Sequence, residues 1–262
     1  METLKALTDF YSNYDEEGRL LSKHGQVEFL TTMRYIEKYL CPGMRVLEIG
    51  AATGRYSHTL AQKGYRVDAV ELIQHNIDIF NSLTQPEENI SIRQGNAMDL
   101  NFFQDETYDM TLLLGPMYHL FTVEEQLKAL SEATRVTKKG GIVMAAYCGN
   151  DATMVQYCFG RGMLREKRYQ ELIDYETFKA SSDPAELFQL YRIEDINDLM
   201  TNFKTERLHF VGTDMATNYM RETVDAMEDE FFRLYLKYHF AICERKDMVG
   251  VSHHFLDIFR KL

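Results

Sequence analysis

An apolar run that halts on small residues constrains this chain more than any other stretch: Arg45-Val-Leu-Glu-Ile-Gly-Ala-Ala-Thr-Gly-Arg-Tyr56. A strand ends there, a tight turn follows, and helical periodicity starts just beyond. Backbone N–H groups and the positive end of the new helix then face whatever sits above the carboxyl end of the strand. Gly50, Ala51, Ala52 and Gly54 let that ligand come close. Glu48 and Ala52 narrow its chemistry. A carboxylate at the strand end repels pyrophosphate, and Ala52 stands where a dinucleotide fingerprint has a glycine, so an NAD-dependent dehydrogenase is disfavoured. A cationic or hydroxyl-bearing ligand fits.

The pattern then repeats. Arg66-Val-Asp-Ala-Val-Glu-Leu72 predicts a second strand ending on Glu71, one strand–helix–strand unit beyond Glu48, the spacing at which an acid holds a ribose diol. A helix over 74–83, a strand over 90–95 and the loop Asn96-Ala-Met-Asp-Leu100 follow, with Asp99 reading as a turn or cap residue. Tyr108-Asp-Met-Thr-Leu-Leu-Leu114 is apolar enough for a parallel strand buried on both faces, and Gly115-Pro116 stops it. A helix over 123–136, a turn at Lys138-Lys-Gly-Gly141 and a strand over 142–147 complete the fifth unit.

Glu48-Ile-Gly-Ala-Ala-Thr-Gly54 resembles the acidic-x-Gly-x-Gly-x-Gly motif of class I S-adenosylmethionine (SAM)-dependent methyltransferases, with Ala52 in place of the middle glycine. Leu112-Leu-Leu-Gly-Pro-Met-Tyr-His-Leu120 resembles a bacterial subgroup acting on small molecules. The likeness is specific over about 40–147 and looser beyond. It implies an α/β, doubly wound, mostly parallel, seven-stranded Rossmann-like sheet with an antiparallel last strand. An N-terminal helical cap (1–40), a SAM-binding core (41–147), a helical insertion after strand five (148–201) and C-terminal strands and helix (202–262) would divide the chain. The resemblance also implies the cofactor SAM and its contacts: Gly50, Ala51, Ala52 and Gly54 in the turn, Glu48 near the methionine portion, and Glu71 with Leu72 at the ribose. Asn96 would accept from the adenine amino group and the backbone of Ala97 would read the ring edge, with Leu114 and Gly115 closing the end of the fourth strand. Of the N-terminal aromatic and basic residues, Tyr11, Tyr14 and Arg19 are candidates for the site, Arg19 pairing the cofactor carboxylate; packing for the tyrosines and solvation for Arg19 is the alternative. Tyr118 and His119 would hang beside the transferable methyl, His119 as general base or as a residue holding the loop.

A net charge of −11 opposes a polyphosphate partner, so no nucleic acid is expected, and the mixed cluster Arg161, Arg165, Lys167 and Arg168 is diluted by acids. No apolar run approaches the roughly 20 residues of a membrane span and no leader is evident, so a cytoplasmic protein without membrane contact is expected. The widely spaced Cys41, Cys148, Cys158 and Cys243 suggest thiols. Met154, Tyr157, Phe159, Met163, Tyr169, Tyr175, Phe178 and Phe188 could roof an apolar pocket or simply pack the insertion. A strand over 203–211, a long helix over 217–245 and a strand over 253–259 should finish the sheet. Adjacent His253 and His254 would point to opposite faces of that strand, so no metal is assigned. The expected activity is methyl transfer to O, N or S of a small molecule. A non-catalytic SAM-binding protein and a protein-directed methyltransferase remain open, as does the oligomeric state.

Overall fold

Four largely apolar segments and one half-exposed edge strand build a parallel half-sheet: β1 (Arg45–Ile49), β2 (Arg66–Glu71), β4 (Tyr108–Leu113) and β5 (Thr137–Gly149), with β3 (Ile90–Gln94) at the edge. The computed structural model, which describes residues 2–14, 17–182 and 188–262, adds β6 (Thr205–Gly212) and β7 (His254–Lys261). Strand order is β3-β2-β1-β4-β5-β7-β6, with β7 antiparallel to both of its neighbours. A two-residue strand, Leu190–Tyr191, adds an eighth member against Cys148 and Gly149, beyond the point where β4 ends.

Helices α1 (Glu2–Tyr11), α2 (Lys23–Tyr39), α3 (Arg55–Gln62), α4 (Gln74–Leu83), α5 (Val123–Val136), α6 (Ile193–Met200) and α7 (Asp229–Ile242) flank the sheet. Strand alternation splits the core. Leu47, Ile49, Leu113, Val143 and Phe259 face α5 and α6, whereas Val46, Leu112, Met144, Leu256 and Ile258 face α2 and α3. Thr122 and Glu125 form a reciprocal capping box at the start of α5, and the Ser22 hydroxyl caps α2 by accepting from Gly25 N. Among the described residues no helix is long and apolar enough to cross a membrane.

Three sequence expectations change. The insertion is not purely helical: Asp174 accepts from Glu176 N, Thr177 N and Thr177 Oγ1, turning the chain into a small hairpin of Ile173–Asp174 and Lys179–Ala180. The long helix over 217–245 is broken after Asp225, because Met227 buries against Val27 and Val224 and gives its carbonyl to Lys23 Nζ. The turn expected at 138–141 is the irregular start of β5, with Gly140 in the left-handed region (φ +75°).

Candidate active site

Parallel strands leave their carboxyl ends on one edge, and the chain turns away from β1 and β4 on opposite sides there. A cavity of about 960 Å³ opens at that edge. Its floor is the turn after β1, with Gly50 (φ +76°) and Ala52 (φ +47°) in left-handed conformations. Gly50 N and Ala51 N donate to Val70 O at 2.8 and 3.1 Å, tying the turn to β2. Glu71, at the end of β2, accepts from Ala52 N and Ile73 N at 2.9 Å each and from Asn76 Nδ2 at 3.4 Å. Burial raises its pKa against those hydrogen bonds. The backbone of Leu72 adds a further hydrogen bond, and the carboxylate so held lines the cavity.

Gly50, Ala52, Glu71, Leu72, Asn96, Ala97, Leu114, Gly115, Tyr118, His119, Tyr14 and Arg19 all stand on the cavity wall. The Asn96 side-chain carbonyl accepts from Met98 N at 2.9 Å and keeps a second lone pair. Glu48, Ala51 and Gly54 stand behind the wall. Alternation turns Glu48 away from the ligand edge to α3, where Ser57 Oγ donates to it, so a contact between Glu48 and a bound methionine portion is not what the geometry offers. Gly54 serves packing, since a Cβ there would lie 2.5 Å from Phe80 Cδ2.

Burial pushes the Glu48 carboxyl up to about 8 against its hydrogen bonds from Ser57. Because the folded form holds the proton more tightly, its contribution to stability is complete below the unfolded value of 4.5 and is lost as pH rises towards 8. Glu48→Gln should flatten that decline, gaining on the order of 2 kcal/mol over the parent at pH 8 relative to pH 5. Urea denaturation at the two pH values measures it, and parallel pH profiles would rule it out.

Helix α1 forms the roof. Tyr11 hydroxyl and His119 Nε2 share a hydrogen bond of 2.9 Å, and His119 packs edge-on to Tyr11 and at 5.3 Å from the Phe188 ring. Tyr14 stacks on Phe10, and Arg19 Nη1 donates to Glu28 Oε2 at 2.9 Å. Of the proposed aromatic roof only Tyr157 and Phe188 line the cavity. Phe159, Tyr175 and Phe178 lie exposed on the outside of the insertion.

Sequence reasoning missed the groups at the far end. The antiparallel β6–β7 pair brings the end of one strand beside the start of the other, so Asp214 meets His254. Asp214 Oδ1 accepts from Ser252 Oγ, His253 N and His254 N, and Oδ2 from Asn218 Nδ2 and from His254 Nδ1 at 2.7 Å. Glu28 Oε2 lies 3.5 Å from the same ring nitrogen. Burial alone would raise the Asp214 carboxyl, but the two histidines and Ser252 hold it well below the ordinary range. The same two carboxylates outweigh burial at His254 and raise its pKa well above the usual value. Although Glu28, Asp214 and His254 present atoms within 4.8 Å of one another, Asp214 is saturated by proton donors, which makes a hydrogen-bonded network rather than an open ligand set. The His253 ring packs near those of Tyr157 and Tyr219. The readable clue was a polar residue just past one strand end and a histidine at the start of its antiparallel partner.

Residues 47–145 match the domain model described as a methyltransferase domain. The demethylmenaquinone methyltransferase of Lysinibacillus sphaericus is 26% identical over 147 residues, covering 55% of this chain and 59% of that protein. The chain thus spans about three fifths of the length of that relative. The ubiquinone biosynthesis O-methyltransferase of Rickettsia bellii is 20% identical over 84% of this chain and 92% of its own length. Among solved structures, a Thermotoga maritima SAM-dependent methyltransferase, named as a possible histamine N-methyltransferase, superposes with a TM-score of 0.59 at 17% identity, covering 99% of this chain and 100% of that one. A Pyrococcus horikoshii protein gives 0.62 at 15% identity, with 97% and 99% covered. These structural likenesses carry the fold.

Proposed function

We propose that the chain, whose residues 47–145 match a methyltransferase domain, is a class I SAM-dependent methyltransferase that transfers the methyl group of SAM to an O, N or S atom of a small molecule. One observation carries this reading: the Glu71 carboxylate, pinned by the N–H of Ala52 in the glycine turn, faces a cavity of about 960 Å³. That is the upper part of the range for ligand sites, enough for a nucleoside-sized cofactor and a second molecule. The fit is supported at Gly115, where an added Cβ would meet nothing nearer than Gly50 O at 3.5 Å, so its bare backbone leaves wall space open. In this reading Glu71 takes the ribose, Asn96 and Ala97 the adenine, and the Gly50–Ala52 turn with Arg19 the methionine end. Bound there, SAM supplies an electrophilic methyl group. The protein contributes alignment, water exclusion by α1, and the polar groups at the acceptor end.

A small acceptor is favoured by the roofed cavity, bounded by Tyr157 and Phe188, and by relatives named for small-molecule methylation. Calorimetry with SAM, followed by a screen of amines, thiols, phenols and carboxylates for S-adenosylhomocysteine by mass spectrometry, tests the reading. Glu71→Ala should weaken SAM by roughly tenfold to a hundredfold, since a charged acceptor is lost from the diol. Unaltered affinity in that variant removes the ribose assignment, and a parent chain that binds no SAM removes the function.

A further inference from the structure

The cavity wall carries a histidine oriented by a buried carboxylate, away from the glycine turn and from Glu71 in the sequence. We propose that His254, held by Asp214, is the base that deprotonates the acceptor, and that the acceptor atom is therefore a hydroxyl oxygen. This rests on the methyltransferase reading above. Asp214 is 2% exposed, and its hydrogen bonds from Ser252, Asn218 and the backbone at 253 and 254 leave it one orientation. An ionised carboxylate only accepts, so the proton between Asp214 Oδ2 and His254 Nδ1, 2.7 Å apart, belongs to the ring. That fixes the tautomer and leaves Nε2 as the nitrogen able to take a proton, with the Cys148 thiol within hydrogen-bonding reach of the ring. The His254 side chain is 21% exposed, and the cavity it faces is also lined by Tyr118, whose ring centre lies 5.9 Å away. Asn218 extends the brace: its Oδ1 accepts from Arg221 Nε at 2.7 Å, and Arg221 Nη2 donates to Tyr157 hydroxyl.

Such a device suits an acceptor that must be deprotonated, and a hydroxyl, less acidic than a thiol, gains most from it. A neutral amine already presents a lone pair and a carboxylate is already ionised, whereas an alcohol, enol or phenol must lose its proton to become a good nucleophile. The step balances without another reagent. The acceptor O–H proton passes to His254 Nε2, the oxygen electron pair forms the bond to the methyl carbon, and the carbon–sulfur bond breaks with its pair on sulfur. The imidazolium then releases the proton to solvent. Asp214 and Glu28, at 2.7 and 3.5 Å from Nδ1, stabilise that imidazolium. The charged or titratable groups facing His254 are Asp214 beyond β6, Glu28 of α2, Cys148 opposite it on β5, Tyr118 after β4 and the neighbouring His253. The two carboxylates favour the protonated ring, so the rate should climb with pH.

The test uses full-length protein, with SAM affinity of each variant measured first. His254→Gln should keep SAM affinity within about threefold yet lose about a hundredfold or more in turnover of weakly acidic phenols and alcohols, with the deficit shrinking for 4-nitrophenol, which ionises by itself near neutrality. Asp214→Asn should move the midpoint of the pH–rate limb down by about one unit. A readout independent of turnover is the absorbance of 4-nitrophenol bound with S-adenosylhomocysteine. The parent should hold a larger phenolate fraction than His254→Gln at the same pH. Unchanged turnover and phenolate fraction in His254→Gln overturn the proposal, as does a screen in which amines are methylated and no hydroxyl compound binds or reacts. Failure of the parent to bind SAM would instead overturn the underlying reading.

Discussion

Arg207→Ala is expected to destabilise the protein by about 3–5 kcal/mol, the usual cost of stranding one partner of a buried ion pair. Asp257 lies on the β7 face that also carries Phe255 and Phe259, with a side chain 0% exposed. Arg207 Nε and Nη2 donate to its two oxygens at 2.7 and 2.8 Å, and Nη1 reaches Asn197 Oδ1 on α6. Burial already raises the Asp257 carboxyl despite the guanidinium. Without Arg207 it would rise further, and a folded-state pKa above the unfolded one means stability lost as pH rises. The variant should therefore lose least below about pH 4, where the unfolded carboxyl is also protonated, and most near neutrality. Urea melts at pH 4 and 7 test both the size and the sign. A loss under about 1 kcal/mol at pH 7 would mean that water reaches Asp257. Arg207→Met with Asp257→Leu should recover most of the stability, because an apolar pair of similar volume avoids desolvating two charges. The consequence extends to the site: β6 and β7 also bring Asp214 to His254.

The local half of this architecture is legible in the chain. Tyr108–Leu114 can only be a buried strand, and the spacing from Glu48 to Glu71 reports one β–α–β unit, because period and punctuation are local properties. What Glu48 does is not local. Its position at the strand end suggests a ligand contact, but only the pairing of β1 with β2 and β4, and the packing of α3 on one face, decides that it meets Ser57. The same holds for His119, whose Nε2 finds Tyr11 from α1, and for Asp214 and His254, joined across the β6–β7 pair. Partners separated this far are selected by topology, which a single sequence does not display. The hairpin at Ile173–Ala180 escaped for a different reason: the segment lacks strand alternation, while Asp174 and Thr177 set the turn through side-chain hydrogen bonds.

The glycine turn yields the last expected result. Three of its residues hold left-handed backbones, Gly50 at φ +76°, Ala52 at φ +47° and Gly54 at φ +93°, and the first two should respond oppositely to exchange of one methyl group. A Cβ at Gly50 would lie 2.5 Å from Pro116 Cδ and 2.9 Å from Cγ, atoms of a ring that cannot swing aside. Left-handed strain of about 1–2 kcal/mol and overpacking of about 1–3 kcal/mol then combine, so Gly50→Ala should cost about 2–5 kcal/mol. Pro116 opens the turn that carries Tyr118 and His119, so displacement there moves that wall of the cavity together with its floor, and SAM affinity should fall by a hundredfold or more. Ala52 already tolerates its strain, with its N–H fixed on Glu71. Ala52→Gly relieves about 1 kcal/mol in the native state and forfeits about as much through the freer unfolded chain, leaving net stability within about 1 kcal/mol of the parent. Thermal melts and calorimetry on the two variants separate the cases. Equal behaviour would mean that Pro116 yields to the methyl and that the turn is held by Glu71 rather than by its contact with the β4 loop.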